Sequence, residues 1–128
     1  MNKNKIEYLV ETDILLDHLK NHSNSLSVLE KAMSSGICFT TVINSSELIY
    51  SVNSKNEKDI LLSLLNALKV LGLHSRYSLY VDEYIGKVLS VRDAIICTVA
   101  KLNKLLILTD DTKKFENSGI KVLTSKDL

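Results

Sequence analysis

The chain has 128 residues, and a chain of this length can bury roughly two-thirds of the surface that it exposes when unfolded. With 45% apolar and 24% charged residues and no low-complexity stretch, it has the composition of an ordinary globular protein. No apolar stretch approaches the ~20 residues of a membrane helix, and the N-terminal residues lack the build of a signal peptide. We therefore expect a single cytoplasmic domain over residues 1–128 that does not enter a membrane. A net charge of +1 neither demands nor excludes a nucleic-acid partner.

The first half of the chain alternates between strand and helix patterns. Ile6–Val10 is a β-prone run, and the residues after it show helical spacing, with Thr12 or Asp13 suited to cap the helix. A helix is expected over Ser23–Ser35, ending at Gly36, and a strand over Ile37–Thr41. A further helix is expected in residues 42–52.

The second half continues the alternation. A broad leucine stripe predicts a helix over Lys58–Leu71 that Gly72 ends. A shorter helix is expected over Tyr77–Leu89 and a stronger one over residues 91–103. Leu105–Leu108 and Ile120–Leu123 are continuous apolar runs and are predicted to be buried strands.

Strands that are apolar on both faces are typical of parallel sheets covered by helices on each side. The sequence therefore predicts an α/β fold, a three-layer α/β/α sandwich with a mainly parallel sheet of four to five strands. The two cysteines, Cys38 and Cys97, lie in apolar contexts and are expected to be buried free thiols.

Acidic residues follow two of the predicted strands directly. Glu11 and Asp13 follow the first strand, and Asp110 and Asp111 follow the LLIL strand. In parallel α/β sheets ligands bind outside the carboxyl ends of the strands. Carboxylates gathered there repel one another, and Mg²⁺ or Mn²⁺ would relieve that repulsion while leaving coordination positions for phosphate and water. The alternative is that each acid caps a helix or is solvated.

Two more acids occur in apolar helical contexts. Glu47 lies within the apolar pattern of its helix, and Asp93 just precedes the apolar run AIIC. The helical periodicity permits both to converge on the strand ends. His18 and His22 stand four apart, but no HExxH context or cysteine pair supports a zinc site.

Three segments in this order resemble the signature blocks of PIN-domain proteins, especially the VapC-like toxins of toxin–antitoxin pairs. They are YLVETDILLDHL, TTVINSSELIYSV and VRDAIICTVAKLNKLLILTDDTKKF. The last block is the most specific, because Asp93 opens the helix and Thr109, Asp111 and Phe115 stand at the family's spacing after the LLIL strand. The main departure is Glu11, since the family has aspartate there and glutamate displaces the carboxylate by one methylene.

The resemblance implies a Mg²⁺- or Mn²⁺-dependent nuclease that hydrolyses RNA phosphodiesters. It implies Glu11, Glu47, Asp93 and Asp111 as catalytic metal ligands, Glu47 serving either as a ligand or as an organiser of metal-bound water. The residues expected to support them by hydrogen bonds are Thr12, Asp13, Thr109 and Asp110. Basic residues that would meet RNA phosphates are Arg92, Lys113 and Lys114.

The resemblance also implies a homodimer, to which Tyr50, Leu48 and the exposed side of the Lys58–Leu71 helix would contribute, and an antitoxin protein as partner. An alternative function is a catalytically weakened PIN domain that binds RNA or protein, which the glutamate at position 11 favours. A third is an acidic-pocket regulatory domain of the receiver kind, but the lysine that this class needs at the end of a later strand has no convincing candidate.

Overall fold

The computed structural model describes residues 5–21 and 24–128, and these build a five-stranded parallel sheet. The strands are β1 (Ile6–Val10), β2 (Gly36–Thr41), β3 (Lys69–Leu71), β4 (Leu106–Leu108) and β5 (Val122–Leu123). Their order across the sheet is β3-β2-β1-β4-β5, so β1 lies at the centre. The expected α/β class, the parallel sheet and its number of strands are confirmed.

Helices cover both faces of this sheet, as expected for a three-layer sandwich. They are α1 (Thr12–Lys20), α2 (Val28–Ser35), α3 (Val42–Ser51), α4 (Lys55–Asn66) and α5 (Val91–Asn103). One apolar cluster joins α1 to α4 with Tyr8, Val10 and Leu108 on one face of the sheet. A second cluster joins α5 with Leu9 and Ile107 on the other face. Neighbouring strand residues thus point to opposite layers, as the alternation of side chains in a strand requires.

The predicted helix over Lys58–Leu71 is wrong at both ends. The helix begins earlier, at Lys55, and ends at Asn66, after which Lys69–Leu71 form the edge strand β3. The three strand residues pair with Phe39, Thr40 and Thr41 of β2, and this pairing satisfies backbone groups along an edge that would otherwise be open. A leucine stripe cannot distinguish these two outcomes, because Leu68 is buried in the same core as Leu61 and Leu65.

The segment Tyr77–Leu89 is also not the helix that was predicted. It carries two 3₁₀ turns, Ser75–Leu79 and Val81–Tyr84, and Gly86 then adopts a positive φ of 78°. Several large apolar side chains here are exposed, so no buried stripe holds a longer helix together. The consequence is an irregular connection between β3 and α5.

Helix starts differ from the prediction at two positions. Helix α2 begins at Val28, because Ser27 and Glu30 form a reciprocal capping box, while Ser23 lies outside the described residues, as does His22. The residue that precedes α1 is Glu11 and not Thr12 or Asp13, and its side chain makes no capping bond. Strand β1 therefore passes into α1 with no loop between them.

Among residues 5–21 and 24–128, no helix combines the length and apolar character that crossing a bilayer requires.

Candidate functional site

The buried carboxylate of Glu11 lies at the carboxyl end of the central strand. Its backbone N–H donates to Leu108 O at 3.0 Å, which fixes the residue between the ends of β1 and β4. Glu11 is only 2% exposed, and a charged side chain at this depth requires polar partners. Two side chains supply hydrogen bonds to it, Arg92 from α5 and Asn44 from α3.

Arg92 is the centre of the site. Its Nη1 and Nη2 donate to the two oxygens of Glu11 at 2.6 and 2.8 Å, and its Nε and Nη2 donate to the two oxygens of Glu47 at 3.2 and 2.8 Å. Its Nη1 also donates to Asp93 Oδ1 at 3.0 Å. A guanidinium has five N–H groups, so these contacts engage its full donor set with three carboxylates.

The three carboxylates come from three different elements. Glu11 follows β1, Glu47 lies in α3 and Asp93 lies in the first turn of α5, whose start Ser90 caps by accepting from the Asp93 N–H. Lys114, in a 3₁₀ turn after β4, places its Nζ 3.9 Å from both Glu11 Oε2 and Asp93 Oδ1. Counted over the ion pairs of the described residues, three carboxylates against one guanidinium and one ammonium leave one formal negative charge.

Asn44 is a site residue that the sequence did not reveal. It is fully buried, and its Nδ2 donates to Glu11 Oε1 at 2.8 Å and to Thr12 Oγ1 at 3.0 Å, while Thr12 Oγ1 donates to Glu47 Oε1 at 2.5 Å. Its Oδ1 accepts from Thr41, with which it forms the capping box that starts α3. The available signal was a polar residue one turn before Glu47 on the same helix, but the sequence does not separate a cap from a site residue.

Asp13, Thr109 and Asp110 form a second network beside the first. The Asp13 carboxylate accepts from Thr109 Oγ1 at 3.0 Å and from the Asp110 N–H at 2.9 Å, so it ties the start of α1 to the end of β4. The Asp110 carboxylate accepts from the Ser125 N–H at 2.8 Å near the C-terminus. These three residues thus join the start of α1, the end of β4 and the segment at Ser125, and in the described part of the chain they form no hydrogen bond with Arg92.

Asp111 and Lys113 are exposed residues just beyond this network. The Asp111 N–H donates to Thr109 Oγ1 at 3.1 Å, but in residues 5–21 and 24–128 its carboxylate makes no hydrogen bond or ion pair. The structure therefore brings Glu11, Glu47 and Asp93 together around Arg92, and Asp111 is not among the residues that contact Arg92 in the described part of the chain. Arg92 and Lys114, expected to face RNA phosphates, instead face these carboxylates.

The charges of the site alter the pKa values of two of its groups. Partial burial acts to raise the pKa of Glu47, but the hydrogen bonds from Arg92 and Thr12, with the charges of Arg92 and Lys114, hold that pKa below its ordinary value. Burial acts to lower the pKa of Arg92, but the hydrogen bonds and charges of Glu11 and Glu47 outweigh it and raise that pKa. Both groups therefore stay ionised at neutral pH.

A comparison of the sequence with known protein families agrees with this geometry. Residues 8–120 match the family model of the PIN domain. The chain belongs to the PIN-domain family. PIN domains are generally nucleases that depend on divalent metal ions. None of the curated proteins matches this PIN domain in sequence.

Solved structures share the fold of this PIN domain over almost their whole length. A chain of a toxin–antitoxin complex from Klebsiella pneumoniae is 20% identical, with a TM-score of 0.76 over 92% of this chain and 97% of that one. A chain of VapBC2 from Rickettsia felis, bound to a DNA fragment from its promoter, is 18% identical, with a TM-score of 0.75 over 93% and 98%. A chain of the DNA-bound VapBC from Salmonella typhimurium is 17% identical, with a TM-score of 0.77 over 94% and 98%.

The donor chemistry of this PIN domain fits the divalent ion that its family implies. Carboxylate oxygens are the ligands that Mg²⁺ and Mn²⁺ prefer, and Glu11, Glu47 and Asp93 direct theirs to one place. That place holds the Arg92 guanidinium. With the side chains so arranged, no three acidic, histidine or cysteine residues within residues 5–21 and 24–128 are set to hold a metal ion.

Proposed function

We propose that this chain is a Mg²⁺- or Mn²⁺-dependent endoribonuclease that acts at the carboxylates of Glu11, Glu47 and Asp93. One observation carries the proposal: acids from the end of β1, from α3 and from α5 meet within hydrogen-bond distance of a single guanidinium. A cluster of negative charge at the strand ends of a parallel sheet is suited to a divalent cation. The family membership supports the nuclease chemistry, and the RNA substrate and the metal requirement are our proposals.

The residues of the site have different proposed roles. Glu11, Asp93 and Glu47 would hold the metal, and the exposed Asp111 would complete the set or direct a metal-bound water. A bound divalent ion lowers the pKa of coordinated water and neutralises charge on a phosphodiester. Asn44 and Thr12 orient the Glu11 and Glu47 carboxylates, as residues around metal ligands generally do. The exposed Lys113 supplies sequence-independent attraction to the RNA backbone.

The proposal predicts that Asp93→Asn abolishes RNA cleavage. The amide keeps the shape of the side chain but removes one ligand charge, and cleavage in Mn²⁺ is expected to fall by at least about a hundredfold, a loss that even a misplaced catalytic group can cause. The measurement is cleavage of a labelled RNA by purified protein. Asp17→Asn, an exposed substitution on α1, is the matched control and should retain activity. Equal cleavage by Asp93→Asn and wild type would assign the activity to a contaminant or to another site.

A second candidate function is a weakened PIN domain that binds RNA or protein without cutting. Two observations favour it: glutamate stands where the family has aspartate, and its longer side chain makes a two-bond contact with Arg92. Calorimetry with Mn²⁺ separates the candidates. Metal binding without cleavage supports the binding module, and metal binding with cleavage supports the nuclease.

We further propose that the chain acts as the toxin of a toxin–antitoxin pair and forms a homodimer. The first part is supported by the toxin–antitoxin complexes whose chains share its fold. For the second, Tyr50 on α3 is 94% exposed, whereas Leu48 is buried and belongs to the core, so of these two only Tyr50 is available to a surface contact. Sedimentation equilibrium should give about twice the 14.3 kDa monomer mass, and Tyr50→Lys should shift it toward the monomer. A monomer at all concentrations would contradict the dimer.

A further inference from the structure

Arg92 occupies the place in this chain where the carboxylates converge. We propose that it is an internal counter-ion that competes with the divalent metal, so that metal binds only when the Arg92 side chain leaves Glu11, Glu47 and Asp93. The inference rests on the proposed function, since it assumes that these carboxylates take the metal. It adds that the metal-free site is closed by a residue of the same chain.

The hydrogen bonds of Arg92 indicate that its guanidinium fills the centre of the carboxylate cluster and does not merely lie beside it. The guanidinium contacts both oxygens of Glu11, both oxygens of Glu47 and one oxygen of Asp93, at distances from 2.6 to 3.2 Å. Each oxygen that faces the centre is therefore already paired with an N–H group. Mg²⁺ binds such oxygens at ~2.0–2.1 Å from its own centre. It cannot reach all five oxygens at that distance while the guanidinium lies between them, because the guanidinium occupies the space that the ion would need.

Arg92 and Glu47 form the partly exposed side of the site, and this is the side on which Arg92 would leave. The Arg92 side chain is 22% exposed and Glu47 is 41% exposed, while Glu11 and Asp93 are nearly buried. Arg92 is the second residue of α5, and Val91 and Leu89 before it are exposed. Rotation of the side chain about its own bonds would carry the guanidinium past Glu47 into solvent without moving the buried part of the helix.

The charges of the site explain why a cationic side chain lies among the three carboxylates. Three carboxylates packed together without a cation repel one another strongly in a poorly solvated site. Arg92 and Lys114 leave one formal negative charge, whereas a divalent ion in place of Arg92 would bring the cluster to neutrality. Arg92 therefore stabilises the metal-free fold, and a divalent ion can displace it only by compensating the charge more fully.

The test is the affinity for Mn²⁺ by titration calorimetry, measured on the full-length chain without RNA. Arg92→Gln removes the competitor and one positive charge, and we expect its Kd for Mn²⁺ to fall at least about tenfold below that of wild type. Arg76→Gln is the matched control, because Arg76 is the other arginine of the chain and is exposed outside the site; its Kd should not change. Lys114→Gln removes the same charge from the rim without emptying the centre, so its effect should be several-fold smaller.

Thermal unfolding provides an independent measurement. In EDTA, Arg92→Gln should melt below wild type, since its carboxylates lack their counter-ion, and Mn²⁺ should raise its Tm by more than it raises that of wild type. If Arg92→Gln does not fold without metal, Arg92→Lys takes its place. Lysine carries its donors on one nitrogen and cannot bridge the five oxygens, so its Mn²⁺ affinity should lie between those of wild type and Arg92→Gln.

The outcomes separate this inference from the proposed function. If wild type and both Arg92 variants bind Mn²⁺ with equal affinity, and Asp93→Asn abolishes that binding, Arg92 does not compete and the inference is overturned while the metal site stands. If Lys114→Gln gains as much affinity for Mn²⁺ as Arg92→Gln, the gain comes from the loss of any nearby positive charge. The proposal that Arg92 blocks the metal site is then rejected. If no variant binds Mn²⁺, the proposed metal site fails and the inference fails with it.

Discussion

Glu11 illustrates how a single buried carboxylate organises its neighbours. It lies at the end of a central strand and is almost fully buried, so each of its oxygens must be paired. Arg92 and Asn44 pair them from α5 and α3, and both partners would be left with unmet hydrogen bonds if Glu11 were removed. The site is thus also part of what holds α3 and α5 to the sheet.

We predict that the two cysteines react slowly with thiol reagents in the folded protein. Cys38 and Cys97 are free and buried, as expected from the sequence, and burial raises the pKa of each thiol from 9.0 to about 11. At pH 8 the thiolate fraction in the folded protein is therefore about a hundredfold lower than for an ordinary cysteine. We expect labelling by a thiol reagent to be slow at pH 8 in buffer and fast in urea. Two thiols that label rapidly in the folded protein would contradict this.

At the scale of elements, the β1–β2 pair depends on the absence of a side chain at Gly36. Gly36 pairs with Ile6, and a Cβ placed on it would lie 2.1 Å from the carbonyl oxygen of Ile6. Its φ of −168° is ordinary extended backbone, so the requirement is for space and not for an unusual conformation. The helix α2 can therefore pass into β2 with no loop, and β2 can approach the central strand closely.

We predict that Gly36→Ala destabilises the protein by about 1–3 kcal/mol, the usual cost of forcing an extra methyl into a packed site. Gly72→Ala is the matched control, because no atom of the described residues lies within 4 Å of a Cβ at that position and its φ is not in the left-handed region. The measurement is urea unfolding of both variants. Equal stability of the two would show that β2 can shift away from Ile6 without cost.

At the scale of the whole molecule, the sheet separates two apolar clusters that share it. Leu29 belongs to the cluster on the side of α1 to α4, and Ile96 belongs to the cluster on the side of α5. The central strand contributes to both, with Tyr8 and Val10 on one side and Leu9 on the other. Loss of packing in either helical layer would therefore also remove contacts that stabilise the sheet.

We predict one cooperative unfolding transition, as proposed for a single domain over residues 1–128. Leu29→Ala and Ile96→Ala should each lower the free energy of unfolding by about 2–5 kcal/mol, since both side chains are fully buried. Each should shift the whole transition, whether it is followed by far-UV circular dichroism or by tyrosine fluorescence. Two separate transitions, with each variant moving one of them, would contradict a shared core.

Local sequence patterns were sufficient to predict several elements and the family. Short β-prone runs located β1 and β2, the continuous apolar run LLIL located β4, helical spacing located α5 at its observed bounds, and the signature blocks indicated the family. The positions of Glu11 and Asp93 relative to these elements followed directly, because a residue after a parallel strand or at a helix start has a known place in such a fold. The edge strand β3 was missed, since three residues in an apolar run carry no signal that distinguishes strand from helix.

Which charged side chains meet in the site could not be predicted before the fold was known. Arg92 and Glu11 are 81 residues apart in sequence, and nothing local to Arg92 distinguishes a side chain aimed at RNA from one aimed at three carboxylates. Asn44 likewise shows no local sign of a role in the site until β1 is placed beside it. The physical reason is that a local pattern fixes the backbone of an element, whereas the partner of a buried charge depends on the elements that the fold packs against it.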